Sequence, residues 1–252
     1  MKLYIIKGRY VFLATLAAII LCIVIGTVGT KPVFLVGNRE IPIYSVKRDD
    51  DKLALTFNCA WNDDDIDSIL KTLDAYSVKC TFFIVGEWAE KYPKSVKRIA
   101  EHGHELANHS YSHAHYSKLD KTAILQDIEK CDNLIYEISG QKPVLFRAAY
   151  GEYTDNVVKA CNESGRTYIQ WSIDSLDYKN GSKSEIYNRV VPKAKAGDII
   201  LMHNGTEKTA AILPEILAGL TKQYALCTVS ELIYPDNYII DGTGMQIKSG
   251  NQ

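Results

Sequence analysis

His109 and His113 stand four residues apart in the run His109-Ser110-Tyr111-Ser112-His113. On a helical turn that spacing puts two imidazoles on one side, an arrangement suited to a single divalent cation. The preceding Gly103-His104-Glu105-Leu106-Ala107-Asn108 reads as a turn and a short strand. The pair then belongs at the C-terminal end of a strand, where open α/β sheets and barrels place their chemistry. Four more apolar runs end in reactive side chains. Leu53 to Phe57 leads into Asn58-Cys59-Ala60-Trp61 and the acidic Asp63-Asp64-Asp65. Leu145-Phe146 leads into Arg147 and Tyr150, Ile169-Gln170-Trp171 into Asp174, Asp177 and Tyr178, and Ile199 to Met202 into His203.

Each segment also has an ordinary structural reading. Asp63 to Asp65 would cap and electrostatically favour a helix with Ile66, Ile69, Leu70 and Leu73 on its apolar face. Arg147 would pair at the surface, Asp174 would cap a turn, and His203 would be a satisfied core histidine. The chemical reading rests on their joint occurrence, in chain order, at strand ends. In that reading an acid of the 63–65 cluster, Asp63 or Asp64, completes a metal site with His109 and His113.

The elements that must position these groups follow a strand–helix alternation, which implies a parallel sheet. Expected strands are 53–57, 81–85, 104–108, 145–147, 167–171, 199–202 and 225–228. The clearest helix is 121–139, with Ile124, Ile128, Cys131, Ile135 and Ile138 on one face. Residues 30–50 read as an extended connector and 236–252 as a loosely held tail. Upstream, residues 11–29 are almost continuously apolar, long enough to span a bilayer, and Lys2, Lys7 and Arg9 precede them in a positive segment over 1–10. This implies a membrane anchor with the rest of the chain outside the cytoplasm, the alternative being a cleaved signal peptide and secretion.

The five segments together resemble, in order, the motifs of polysaccharide deacetylases of the NodB-homology type, carbohydrate esterase family four. The likeness runs from about Asp51 to about Tyr234, and the phrasing Trp171-Ser172-Ile173-Asp174-Ser175-Leu176-Asp177 is similar to a sporulation-associated branch. The resemblance implies an α/β fold, an irregular seven-stranded (β/α) barrel over 51–235. It also implies metal-dependent removal of N-acetyl groups from cell-wall polysaccharide, peptidoglycan first and chitin-like oligomers second, with zinc or cobalt as cofactor. Carried over by position, His109 and His113 are metal ligands. His203 is the general acid, Asp174 tunes it, and Arg147 positions the base. The Tyr150 backbone faces the oxyanion, and Leu201, Tyr178 and Trp61 line the substrate pocket.

The chain departs from that pattern where the family has two adjacent aspartates, the catalytic base and a metal ligand. Here Asn58 and Cys59 stand. An amide keeps the shape of a carboxylate but accepts no proton at neutral pH. Two expectations follow: a deacetylase that bypasses Asn58, or a weak or inactive relative that binds glycan or scaffolds envelope proteins. The Ala149 and Tyr178 substitutions, for proline and tryptophan, are milder. The six cysteines show no Cys-x-x-Cys spacing and read mostly as small buried hydrophobes. A net charge of −1 gives no electrostatic case for nucleic acid.

Overall fold

The computed structural model describes residues 40–249. The positive segment 1–10, the apolar stretch 11–29 and the first part of the 30–50 connector lie outside the described residues. Among the described residues no helix is long and apolar enough to cross a membrane.

A parallel sheet forms the centre. Its strands are β2 (Lys52–Cys59), β3 (Thr81–Ile84), β4 (Glu105–Asn108), β5 (Leu145–Phe146), β6 (Thr167–Tyr168), β7 (Ile173–Asp174), β8 (Ile199–His203) and β9 (Ala225–Cys227). They lie in the order β6-β5-β4-β3-β2-β8-β7, with β9 beside the start of β2. All seven expected strands are present, and β7 is an addition too short for a periodicity signal. Strand β2 is buried along both faces, as a central parallel strand must be, which is why it reads as an unbroken apolar run. Leu53, Leu55, Phe57 and Cys59 pack outward under the helices, while Ala54 faces the interior with Phe83, Ala107 and Ile199. Thr56 and Asn58 share that inner side by alternation.

The sheet curls into a half-barrel rather than the closed seven-stranded barrel expected, because β6 and β7 do not pair. The connector bridges the gap at its lower end. Ile43 exchanges backbone hydrogen bonds with Tyr168 and Gln170, and Val46 N–H donates to the Gly197 carbonyl at 2.9 Å. Only glycine permits that approach: a Cβ on Gly197 would sit 1.7 Å from the Val46 oxygen, and its φ is +84°.

The connector continues as β1 (Ser45–Val46), which joins β11 (Met245–Lys248) and β10 (Tyr238–Ile240) in a three-stranded sheet. The stretch expected as a loose tail is therefore a docked hairpin up to Lys248. Gln246 is fully buried, its amide accepting from Tyr234 N–H and donating to the Tyr234 carbonyl, each at 2.8 Å. The turn Asp241 to Gly244, with the Asp241 carboxylate accepting from Thr243 and Met245 N–H, is a hairpin signal the sequence does carry.

Helices α1 (Ile66–Ala75), α2 (Gly86–Lys91), α3 (Pro93–Glu101), α4 (Lys121–Ser139), α5 (Asp155–Glu163), α6 (Lys183–Val190), α7 (Thr209–Leu220) and α8 (Val229–Leu232) complete the fold. Helix α4 matches its expected bounds. Asp120 caps it by accepting from Ala123 N–H at 2.8 Å, and Gly140 ends it at φ 75°. Ile124, Ile128, Cys131 and Ile135 are buried along it. The five described cysteines are buried and free, which fits their reading as small hydrophobes.

His104 enters β4 with 1% exposure, its Nδ1 accepting from Cys80 N–H at 3.2 Å. Burial pulls its pKa down from 6.5 to about 4. Above pH 6.5 it is neutral folded or unfolded. Between 6.5 and about 4 the unfolded chain takes up a proton that the folded state refuses, so stability falls as pH drops. That loss amounts to about 3 kcal/mol at most. His104→Gln keeps an acceptor for Cys80 and removes the proton site. Urea denaturation near pH 7 and about pH 4.5 is expected to show a smaller acid loss in the variant than in the parent. An equal loss would place the acid sensitivity elsewhere.

Candidate active site

The C-terminal ends of the strands surround a cleft of about 390 Å³ lined by Asn58, Trp61, His109, His113, Tyr150, Trp171, Asp174, Tyr178, Leu201 and His203, among others. Arg147 lies beneath it, fully buried. One Arg147 nitrogen donates to Asn58 Oδ1 at 2.9 Å and Thr56 Oγ1 at 3.0 Å, and another donates to the Gln170 carbonyl at 3.0 Å. The guanidinium also lies over the Phe83 ring, 3.7 Å from its centroid. No carboxylate pairs with it among the described residues. Burial lowers its pKa to about 9, so it remains a cation at neutral pH. The expected surface-pair alternative for Arg147 is thereby excluded.

His109 and His113 do come together, but in a loop rather than a helical turn. Ser110 and His113 adopt positive φ, 68° and 54°, which bends the chain enough to bring the rings to 5.2 Å, edge to face. Helix α4 clamps this loop: Asp127 accepts from Tyr111 N–H and from the Tyr116 hydroxyl. Asp132 accepts from the Asn108 side chain, whose oxygen accepts from Ser110 N–H. The Arg147 carbonyl lies 2.8 Å from His109 Nδ1, which must therefore carry the proton and leave Nε2 unprotonated. Burial lowers the pKa of both imidazoles, and each is further lowered by a neighbouring histidine.

His203 ends β8 directly across from Asn58 on β2. Its partner is Asp177, not Asp174 as expected. Asp177 accepts from His203 Nδ1 at 2.8 Å, from His203 N–H at 2.7 Å and from the Thr209 hydroxyl at 2.7 Å. With Nδ1–H committed to Asp177, Nε2 is the nitrogen left for substrate. Trp61 and Tyr178 flank the imidazole at centroid distances of 5.2 and 5.0 Å. The two acids three residues apart signalled this loop, but spacing alone could not say which would reach His203. Trp171, also absent from the sequence-based set, lines the cleft. Asp174 faces the cleft, with one oxygen accepting from Leu176 N–H at 2.9 Å. Leu201, 2% exposed, forms the floor, and Tyr150, at φ 60°, presents its ring at the rim with 60% exposure. That ring stacks on His115 at 4.3 Å and meets His113 at 4.7 Å.

The acidic cluster does not supply a third metal ligand. Asp63 accepts from the fully buried Ser95 hydroxyl at 2.5 Å and so holds α3. Asp64 lines a separate cavity beside α1 and α7. Asp65 precedes α1 without capping it through its side chain and instead accepts from Gly205 N–H at 2.9 Å. Cys59 lies in the outer core with burial raising its thiol pKa, which keeps it a thiol. Among the described residues no third His, Cys, Asp or Glu joins the two imidazoles. Two neutral imidazoles and an amide already bound by Arg147 do not fit the three-ligand site that the resemblance implies.

A parallel half-barrel with a His–Asp pair at the strand ends and aromatic walls around it fits a NodB-type α/β fold. A sequence profile of the polysaccharide deacetylase family matches residues 45–169. A peptidoglycan-N-acetylglucosamine deacetylase of Bacillus cereus is 37% identical over 153 residues, covering 61% of this chain and 56% of that protein. A second enzyme of that name from the same organism is 33% identical, covering 75% of this chain and 92% of its own. Among solved structures, BA3943 of Bacillus anthracis, a CE4 family pseudoenzyme, aligns with a TM-score of 0.73 at 30% identity, over 77% of this chain and 69% of that one. A BA3943 mutant with restored enzymatic activity aligns with a TM-score of 0.74 at 30% identity, over 77% and 71%. The chain belongs to the polysaccharide deacetylase family, whose peptidoglycan N-deacetylases are hydrolases acting on amide bonds. It spans 60% and 56% of the length of two of the curated relatives it matches.

Calorimetric zinc titration tests the position of Asp63. Asp63→Ala is expected to leave zinc affinity unchanged and to lower stability by about 1–2 kcal/mol through the stranded Ser95 hydroxyl. His109→Ala is expected to remove whatever binding the imidazoles provide. Loss of zinc binding in Asp63→Ala would return that carboxylate to the site.

Proposed function

We propose that this chain removes N-acetyl groups from cell-wall glycan, with peptidoglycan sugars as the substrate class, at a rate held down by Asn58. The His203–Asp177 pair carries this reading. Asp177 accepts from the imidazole Nδ1 and from the backbone N–H of His203, and the imidazole lines a cleft with aromatic walls. In this reaction a sugar face lies between Trp61 and Tyr178, and the acetyl methyl points toward Leu201. His203 then donates a proton to the departing nitrogen as the C–N bond breaks. Among the described residues the donor set stops at two imidazoles, and the steps here belong to the protein's own side chains. The apolar stretch 11–29 would hold the domain outside the cytoplasm, where this polymer lies.

One observation favours a second reading, glycan binding without turnover. The position of the family's base holds an amide whose oxygen is tied to Arg147. Loss of a general base costs about 10²–10⁴ in rate.

Acetate release from peptidoglycan fragments and N-acetylglucosamine oligomers by the purified chain separates the two. Slow release that His203→Ala abolishes is expected, with Asn58→Asp raising the rate by about 10²-fold or more. Binding of the oligomers without acetate release would establish the second reading.

A further inference from the structure

Hydrolysis at this cleft requires a group to take a proton from water, and Asn58 cannot. Of the residues lining the cleft, one is a carboxylate: Asp174. The register shows how it arrives there. Asp174 on β7 pairs with Leu201 on β8, and Leu201 pairs with Thr56 on β2. Strand β8 therefore separates Asp174 from Asn58 by two strand spacings and a rise of two residues, roughly 12 Å, with Leu201 as the floor between them. His203 rises from the same central strand, one inward position further on.

The surroundings of Asp174 differ from those of its neighbours. Asp177 is fully committed to His203 and Thr209. Among the described residues Asp174 has one hydrogen bond, from Leu176 N–H to Oδ1, and no Lys or Arg forms an ion pair with it. Among the described residues its Oδ2 accepts no hydrogen bond, and the residue lines the cleft. Partial burial raises its pKa above the ordinary carboxylate value, with His203 acting in the opposite sense. A carboxylate so placed is a stronger proton acceptor than an exposed one.

We propose that Asp174 is the proton acceptor for the hydrolytic water, in the role that Asn58 cannot fill. This rests on the deacetylase reading above. The water oxygen attacks the acetyl carbon and one of its protons passes to Asp174 Oδ2. The C–N bond then breaks, and the nitrogen takes a proton from the doubly protonated imidazole of His203. Acetic acid and the amine leave and exchange one proton in solution to become acetate and an ammonium, and the proton on Asp174 returns to His203 through solvent. Atoms and charge balance without a further reactant.

A double-mutant comparison tests this. Asp174→Asn preserves the acceptor for Leu176 N–H and the shape of the side chain. In the parent chain it is expected to lower kcat for acetate release by about 10²-fold. In an Asn58→Asp background, where a carboxylate has been supplied at the opposite wall, the same change is expected to cost only a fewfold. A structural role would lower both backgrounds alike, and that result overturns the proposal. As a second readout, Asp174→Ala is expected to regain activity on addition of formate, a mobile carboxylate; absence of any regain counts against it. A parent chain that releases no acetate while Asn58→Asp does would overturn both this proposal and the deacetylase reading. Equal losses in an active parent overturn only the first.

Discussion

The end of β2 and the histidine loop are organised around a buried cation, Arg147, that has no carboxylate partner among the described residues. Moving a guanidinium out of water costs several kcal/mol even after relaxation. Arg147 offsets that with hydrogen bonds to Thr56, Asn58 and the Gln170 carbonyl and with the face of Phe83. Hydrogen bonds to a charged group contribute about 1.5–3 kcal/mol each. The side chain thereby ties the end of β2 to the chain leaving β6. Its backbone carbonyl, on the other side, sets the tautomer of His109. One residue thus orients the amide on one wall and an imidazole on the other.

That arrangement accounts for what Asn58 does here. With its oxygen accepting from Arg147, the amide satisfies a buried donor without being able to take a proton. The geometry of the site survives while one chemical function is absent. In the hydrolysis proposed for this cleft, leaving-group protonation is retained at His203 and the water-side proton goes to a group other than Asn58.

The loops above the sheet are held by carboxylates in structural roles. Asp127 and Asp132 clamp the histidine loop onto α4, Asp65 holds the Gly205 turn beside Trp61, and Asp63 braces α3 through Ser95. A glycine is needed at 205 because φ is +70° and a Cβ would come within 2.9 Å of the Asn62 side chain. The metal-ligand reading of Asp63 fails because a loop that turns outward to reach Ser95 cannot also turn inward to the imidazoles.

The sequence by itself determined the strand–helix order, the bounds of α4 and which residues arrive at strand ends. These follow from local hydrophobic period, capping residues and the alternation of side chains along a strand. It also determined that an amide stands where the family pattern has its base, since residue 58 is Asn. Tertiary structure decided the pairings. Asp174 and Asp177 lie three residues apart and look equivalent along the chain. The Asp177 contact with His203 spans 26 residues and depends on how the loop after β7 folds over the end of β8. The half-barrel's open edge and its closure by β1 were likewise settled by hydrogen bonds between distant segments. Within the expected tail, the segment 238–248 differs for another reason: its turn signal was legible, but the burial of Gln246 against Tyr234 that makes the hairpin hold is a long-range contact. Local pattern fixes which face a residue presents; only packing between remote elements fixes what it meets.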